Sequence, residues 1–196
     1  HDVLHRDLKP DNIVFDGDGP DATPALCDFD LSVDMSATVG STMMHGTLLY
    51  RAPDAAPSKA SDVYALGMTL LEVLFCDGED GLRQRLVPGG VRMEPGLDDL
   101  KRVRDELGRT SDDRRKPLAS LVRSMLAPAQ GERPSAAEVA DHLNEMLSMR
   151  TCYICYSSEP REKGIECDAA ARHFACGVCF SAHVSRLEAL CEAGGG

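Results

Sequence analysis

The 196-residue chain carries 21 Lys and Arg against 32 Asp and Glu, a formal charge of −11, with 43% hydrophobic and 27% charged residues. This is the balance of a soluble globular chain and not of a disordered one; its sign disfavours non-specific binding to nucleic acid or anionic membrane and mildly favours basic partners. No apolar run approaches the roughly 20 residues that a bilayer span requires. The opening segment, His1 to Asp7, is charged and reads as no secretory signal. It does not start on methionine, so we expect sequence upstream of it.

In chain order, Ile13-Val14-Phe15 and Ala25-Leu26-Cys27 predict two short strands. The Gly-, Pro- and Asp-rich stretch from Asp16 to Thr23 forms the hairpin loop between them. A loop without periodicity follows from Asp30 to about Tyr50. Ser61 to Phe75 is apolar on nearly every face, the pattern of a helix in the middle of a core. In the segment from Asp77 to Asp113, Leu97, Leu100, Val103 and Leu107 predict one amphipathic helix. Pro117 to Ala127 puts Leu118, Leu121, Val122, Met125 and Leu126 on one stripe, with Pro117 in the first turn and Pro128 as the stop. Ser135 and Glu138 form a capping box for a last helix through Val139, Leu143 and Leu147. The first part is therefore mostly helical with one small hairpin, and it ends near Met149 to Thr151.

Two of the eight cysteines, Cys27 and Cys76, stand alone and read as small buried hydrophobes. The other six lie between Cys152 and Cys191. Their C-x-x-C spacings point to a metal in a reducing compartment and not to secreted disulfides. An intracellular, cytoplasmic setting is the expectation.

The densest chemistry lies in His5-Arg6-Asp7-Leu8-Lys9-Pro10-Asp11-Asn12. In-line phosphoryl transfer needs a carboxylate near the attacking hydroxyl, a cation near the transferred phosphate and hard oxygen ligands for magnesium. Asp7, Lys9 and Asn12 supply all three from one short loop. Sixteen residues after Asn12 the hairpin delivers Asp28-Phe29-Asp30, a second oxygen ligand for the same ion.

These residues closely resemble the protein kinase family of Ser/Thr type. The resemblance implies that Asp7 orients or accepts the substrate proton and that Lys9 contacts the γ-phosphate. It also implies that Asn12 and Asp28 ligate magnesium, and that Phe29 packs in active states. Arg6 resembles the arginine that answers a phosphate or acidic group in the following loop, where Ser36, Thr38, Ser41 and Thr42 are candidate acceptors. The resemblance continues through Gly46-Thr47-Leu48-Leu49-Tyr50-Arg51-Ala52-Pro53-Asp54, whose Thr47 would bond Asp7 and Lys9. Asp62 would hold the loop backbone, and Arg133 of Glu132-Arg133-Pro134-Ser135 would pair with Asp54. It covers about residues 1–148 and implies the C-terminal lobe alone, without the ATP-covering N-terminal lobe, so that the isolated chain is expected to be inactive. Two departures stand out. Asp30 replaces a glycine that permits positive φ, and Asp54 replaces glutamate, which shortens the reach to Arg133.

Beyond it, Cys152-Tyr153-Ile154-Cys155 is followed after eleven residues by Cys167, then His173, then Cys176-Gly177-Val178-Cys179. Thiolates and imidazole at such spacings suit tetrahedral zinc, and a fold this short needs the metal for stability. The order resembles a RING finger over residues 150–191, with Cys152, Cys155, Cys176 and Cys179 closing one site and Cys167 and His173 half of a second. Only Cys191 follows, so the resemblance implies a truncated RING; a single-zinc finger and a treble-clef variant stay open. His183 reads as a surface residue. Ile154 stands where RING ubiquitin ligases dock the ubiquitin-conjugating enzyme, although core packing explains it equally well.

The expected fold is thus a mostly α kinase C-lobe joined to a small RING-like zinc module. The expected cofactors are Mg-ATP and zinc, and the expected partners are a protein substrate and a ubiquitin-conjugating enzyme, with neither nucleic acid nor membrane. Two functions follow: transfer of the ATP γ-phosphate to protein Ser/Thr, or a kinase-fold scaffold or pseudokinase fused to a RING-type ubiquitin ligase.

Overall fold

The computed structural model describes residues 2–17, 22–35, 46–76, 78–87, 94–113, 115–152, 154–155, 157–166, 174–182 and 184–185. The chain divides into two compact units, His1–Val139 and Ala140–Gly196. The candidate phosphoacceptors Ser36, Thr38, Ser41 and Thr42, the candidate ligands Cys167 and His173, and His183 and Cys191 lie outside the described residues.

The first unit opens with two small antiparallel ribbons. Strand β1 (Val3–Leu4) pairs with β4 (Val33–Asp34), and β2 (Ile13–Asp16) pairs with β3 (Thr23–Leu26) in the register Ile13 to Leu26 and Phe15 to Pro24. The second ribbon is the expected hairpin. The first lies partly in the stretch read as a loop: two-residue strands carry too few side chains to show a period, and their partners are distant in sequence.

Helix α1 (Lys59–Phe75) is the centre of the unit. Ser58 caps it, accepting from the Ser61 amide while the Ser61 hydroxyl accepts from the Ser58 amide. Tyr64, Met68 and Leu71 are fully buried. Helix α4 (Lys116–Met125) packs across α1 with Pro117 in its first turn. The two approach closely at Gly67, where a Cβ would sit 2.9 Å from the Met125 Cβ, so a side chain there would force the helices apart. Val73 and Leu74 are exposed, so the last turn of α1 does not continue the all-round burial that its composition suggested.

Two further helices close the core. Helix α3 (Leu97–Gly108) buries Leu100, Val103 and Leu107 of its expected stripe, while Leu97, at its first position, is exposed. Helix α2 (Gly78–Leu86) has no clear signal in the sequence: two glycines and four charged residues leave Leu82 and Leu86 as its buried pair, too weak a pattern to stand out. Cys27 and Cys76 are half-buried and not fully buried as expected. Helix α5 (Ala136–Ser148) begins with the predicted box: the Ser135 amide donates to Glu138 at 2.7 Å and the Glu138 amide to the Ser135 hydroxyl at 3.2 Å.

In the second unit, β5 (Met149–Thr151) pairs with β6 (Ser158–Pro160) and β7 (Gly164–Glu166) with β8 (Phe174–Cys176). Phe174, Cys152 and Cys176 are buried together.

A buried ion pair ties α1 to the segments around it. Arg133 donates to both Asp54 oxygens at 2.7 Å, and to the carbonyls of Ala60, Ala127 and Pro128. Its guanidinium also lies 4.9 Å from the centre of the Tyr64 ring. The shorter Asp54 therefore reaches Arg133 with both oxygens. Burial acts to raise the Asp54 pKa, but Arg133 and Ser61 outweigh it and hold the carboxyl below its usual 3.8. Asp54→Ala leaves the guanidinium buried without its counter-charge and should destabilise the unit by about 3–5 kcal/mol, read as a lower urea midpoint at unchanged slope. A depressed carboxyl contributes its stability in full above its ordinary pKa and loses it as pH falls through the folded value. Acid should therefore erode the parent below about pH 3.8 through this group, and the gap between parent and variant should narrow there.

Candidate active site and metal centre

The segment from His5 to Asn12 is held from below by α1. Asp62, in the first turn of that helix, accepts from the His5 amide at 2.7 Å and the Arg6 amide at 2.9 Å. Arg6 has a φ of 71°, a costly backbone state for a residue with a long side chain, and the two bonds from Asp62 fix it there. Gly46, at φ 99°, lies so close that a Cβ would meet the Arg6 carbonyl oxygen at 2.3 Å. Glycine is what allows the following residue to reach the loop.

That residue is Thr47. Its amide donates to Asp7 Oδ1 at 2.7 Å and its hydroxyl to the same oxygen at 2.9 Å. Lys9 Nζ donates to the Thr47 hydroxyl at 3.1 Å and lies 3.1 Å from Asp7 Oδ2. Asn12 is buried and donates from its side-chain amide to the Asp7 carbonyl at 2.8 Å and to Asp7 Oδ2 at 3.2 Å. With Nδ2 committed in this way, Oδ1 is the Asn12 atom suited to a hard cation. Burial works to raise the Asp7 pKa, but the Thr47 amide, the Thr47 hydroxyl and Lys9 outweigh it, and the carboxyl is held below the usual range.

Asp28 follows the second ribbon. The Cys27 amide donates to the Asn12 carbonyl at 3.0 Å, so Asn12 and Asp28 emerge at the same end of that ribbon. Asp28 is exposed and has a φ of 60°. Among the described non-glycine residues positive φ falls on Arg6 and Asp28, and Asp30 does not need the freedom of the glycine it replaces. Phe29 is 53% exposed; its ring lies 4.9 Å from that of His5. His5 is itself buried, with Nε2 3.0 Å from the Cys27 carbonyl. Sequence pattern alone does not single out His5, which joins the loop to the ribbon, or Tyr50, whose hydroxyl donates to Glu72 on α1 at 2.6 Å. A lone Glu in the run from Leu70 to Phe75 was the signal for the second, since a carboxylate in a buried stretch needs a partner.

Over this part of the chain the family profile described as "Protein kinase domain" matches residues 1–143. The chain belongs to the protein kinase family. Among curated relatives, it is 30% identical over 152 residues to calcium-dependent protein kinase 8 of Arabidopsis thaliana, covering 72% of this chain and 26% of that protein. It is 32% identical over 164 residues to the serine/threonine-protein kinase PkaB of Streptomyces coelicolor, covering 75% of this chain and 35% of that one. A bifunctional serine/threonine-protein kinase/NEDD4-like E3 ubiquitin-protein ligase of Dictyostelium discoideum is 40% identical over 81 residues, 37% of this chain and 4% of that protein. The chain thus spans about a third or less of the length of these kinases.

In the second unit four of the expected ligands come together. The sulfurs of Cys152, Cys155, Cys176 and Cys179 all lie within 4.8 Å of one another, with Cys155 and Cys176 3.8 Å apart. Four bonds of about 2.3 Å at tetrahedral angles separate sulfurs by about 3.8 Å, so the cluster can hold one metal ion. Backbone amides of Ile154 and Cys176 point at the Cys152 sulfur at 3.4 Å each. Donation from the amides of Cys155 and Cys176 pulls the Cys152 thiol down to about 6. Cys179, hydrogen-bonded to Cys155 and Cys176, is pushed up to about 12. Among the described residues no helix is long and apolar enough to cross a membrane.

The Asp7 clamp has a direct check. Thr47→Val keeps the amide donor and removes the hydroxyl, so the Asp7 carboxyl should titrate closer to 3.8 than in the parent, measured by carboxyl-carbon NMR against pH. An unchanged midpoint would mean that the hydroxyl bond contributes nothing.

Proposed function

We propose that this chain carries the phosphotransfer residues of a Ser/Thr protein kinase that moves the γ-phosphate of Mg-ATP to a protein hydroxyl. The observation that carries the reading is the Asp7–Thr47–Lys9 constellation, in which one carboxylate is fixed by two donors of Thr47 beside an ammonium. Asp7, with its lowered pKa, is a weak base suited to orienting the substrate hydroxyl and accepting its proton late. Lys9 places positive charge beside that carboxylate, and Thr47 positions both. Asn12 and Asp28 offer hard oxygens at one end of the ribbon, and the donor set fits magnesium. When bound, Mg-ATP supplies the phosphoryl group and the cation that offsets its charge. We assign residues 1–148 to the kinase lobe.

The test is phosphorylation of a generic Ser/Thr substrate by the native full-length polypeptide. Asp7→Asn should lower the rate by roughly 100-fold or more while the melting temperature stays near that of the parent. Equal rates in parent and variant would exclude the assignment.

A second reading concerns residues 150–191: a zinc-binding, RING-like module that docks a ubiquitin-conjugating enzyme. Four clustered thiols favour zinc over harder ions, and such thiols persist in a reducing intracellular compartment. Support for docking comes from Ile154, which is 53% exposed while its amide is spent on the Cys152 sulfur. Cys176→Ser should lower the zinc content of the purified protein. Ile154→Ala should retain zinc yet lose autoubiquitination in the presence of a conjugating enzyme. A zinc-loaded parent with no ligation would refute the docking half, and a metal-free parent the whole.

A further inference from the structure

We infer that Arg51 is a specificity residue of the phosphotransfer site: it receives a carboxylate carried by the substrate within two positions of the phosphorylated residue, and Glu94 occupies it until that carboxylate arrives. This rests on the phosphotransfer reading and adds to it a substrate class, an acidic peptide.

Three observations lead to it. The first is place. Thr47 has its amide and hydroxyl on Asp7, and one residue further on the Leu48 carbonyl accepts from the Arg51 amide at 3.4 Å. Arg51 and Asp7 line the same cleft. An extended peptide advances about 3.3 Å per residue, so a substrate with its hydroxyl at Asp7 carries its neighbouring side chains past that cleft. The second is charge. The cleft also holds the carboxylates of Asp7 and Asp62, and both are committed elsewhere. Asp7 faces Thr47, Lys9 and Asn12, and Asp62 holds the amides of His5 and Arg6. Among the described residues, the carboxylate that meets the Arg51 guanidinium is that of Glu94, forty-three positions along the chain. The third is the quality of this contact. Arg51 Nη2 donates to Glu94 Oε1 at 2.5 Å, one nitrogen to one oxygen, with the two side chains 25% and 53% exposed. Arg133 shows the contrasting, structural case: its side chain is fully buried, it grips both oxygens of Asp54, and it reaches three carbonyls besides. An exposed single contact contributes little to stability, whereas a guanidinium can take a carboxylate through two parallel bonds. Glu94 thus holds Arg51 weakly, by the same chemical group that a substrate would bring. It gives way to a carboxylate delivered on a peptide already anchored at Asp7, because the anchor raises the local concentration of that group.

The test measures KM and kcat of the full-length protein on serine peptides of one sequence that differ only in Asp or Ala at a single position, from two before the serine to two after it. One Asp peptide should show a KM roughly fivefold below that of its Ala counterpart. Arg51→Met keeps a side chain of similar length without the charge and should bring the two values together. Glu94→Gln should lower KM for the Asp peptide further. A merely structural role for Arg51 would impair both peptides alike and leave their ratio at the parental value. If Arg51→Met does not fold, Arg51→Gln carries the same comparison. A folded variant that keeps the preference, or an active parent that has none, overturns the inference. A parent that phosphorylates no peptide and no generic substrate overturns the phosphotransfer reading instead. The NMR signal of the Arg51 Nε–H then decides the subsite, which stands if the Asp peptide shifts it more than the Ala peptide and falls if the two act alike.

Discussion

Asp62 accepts two consecutive backbone amides, those of His5 and Arg6, from the first turn of a helix buried in the core. A carboxylate at that end of a helix is favoured by the helix dipole, and Asp62 turns both of its oxygens to the loop. Remove it and Arg6 has no reason to keep a φ of 71°. Asp7 then loses its direction, and Lys9 and Asn12, which reach their partners from the same loop, lose theirs. The arrangement of Asp7, Lys9 and Asn12 therefore depends on a hydrogen-bond pair that touches none of their side chains.

The same helix acts a second time. Glu72 lies ten residues beyond Asp62, about 15 Å along the axis at 1.5 Å per residue, and holds the Tyr50 turn. Between these two carboxylates α1 buries Tyr64, Met68 and Leu71 and meets α4 closely at Gly67. A helix so placed cannot tilt without opening the core. Loops that must be accurate to a fraction of an ångström are thereby referred to the least deformable element in the unit. The Arg133–Asp54 pair does the same for the segment between them, joining it to the approach of α5 through three carbonyls as well as one carboxylate.

Much of this was legible in the amino-acid order because it is local. The Ser135–Glu138 box, Pro117, the stripe of α3 and the hairpin are short-range patterns whose physics acts within a few residues. The grouping of the candidate residues Asp7, Lys9 and Asn12 is legible for the same reason, since they lie in one loop. What escaped is non-local or weak. The β1 to β4 pairing joins two-residue strands some thirty positions apart, and α2 has only two buried residues to announce it. Gly46 stood in the quoted motif, but nothing in a string of letters says that a carbonyl would lie 2.3 Å from its missing Cβ. Glu72 was visible as an interruption of an apolar run, and its meaning needed the Tyr50 hydroxyl, twenty-two residues earlier in the chain. Asp30 was read as a strain that the backbone does not contain, the positive φ having fallen on Asp28 instead.

Among its described residues, the second unit is centred on four sulfurs. Its buried cluster is small, with Phe174 beside cysteines, and a fold of this size draws little stability from apolar burial. Amide donors bring the Cys152 thiol down to about 6, whereas Cys179, facing other sulfurs, is pushed up to about 12. A dication held by the four sulfurs would take them as thiolates, so protons would compete with it. Its affinity therefore falls as protons become more available. Cys155 is drawn down by the Ser157 hydroxyl and amide. A metal that binds thiolate strongly competes with those protons better than one that prefers oxygen, so a tetrad of sulfurs selects for the softer ion by its donor set.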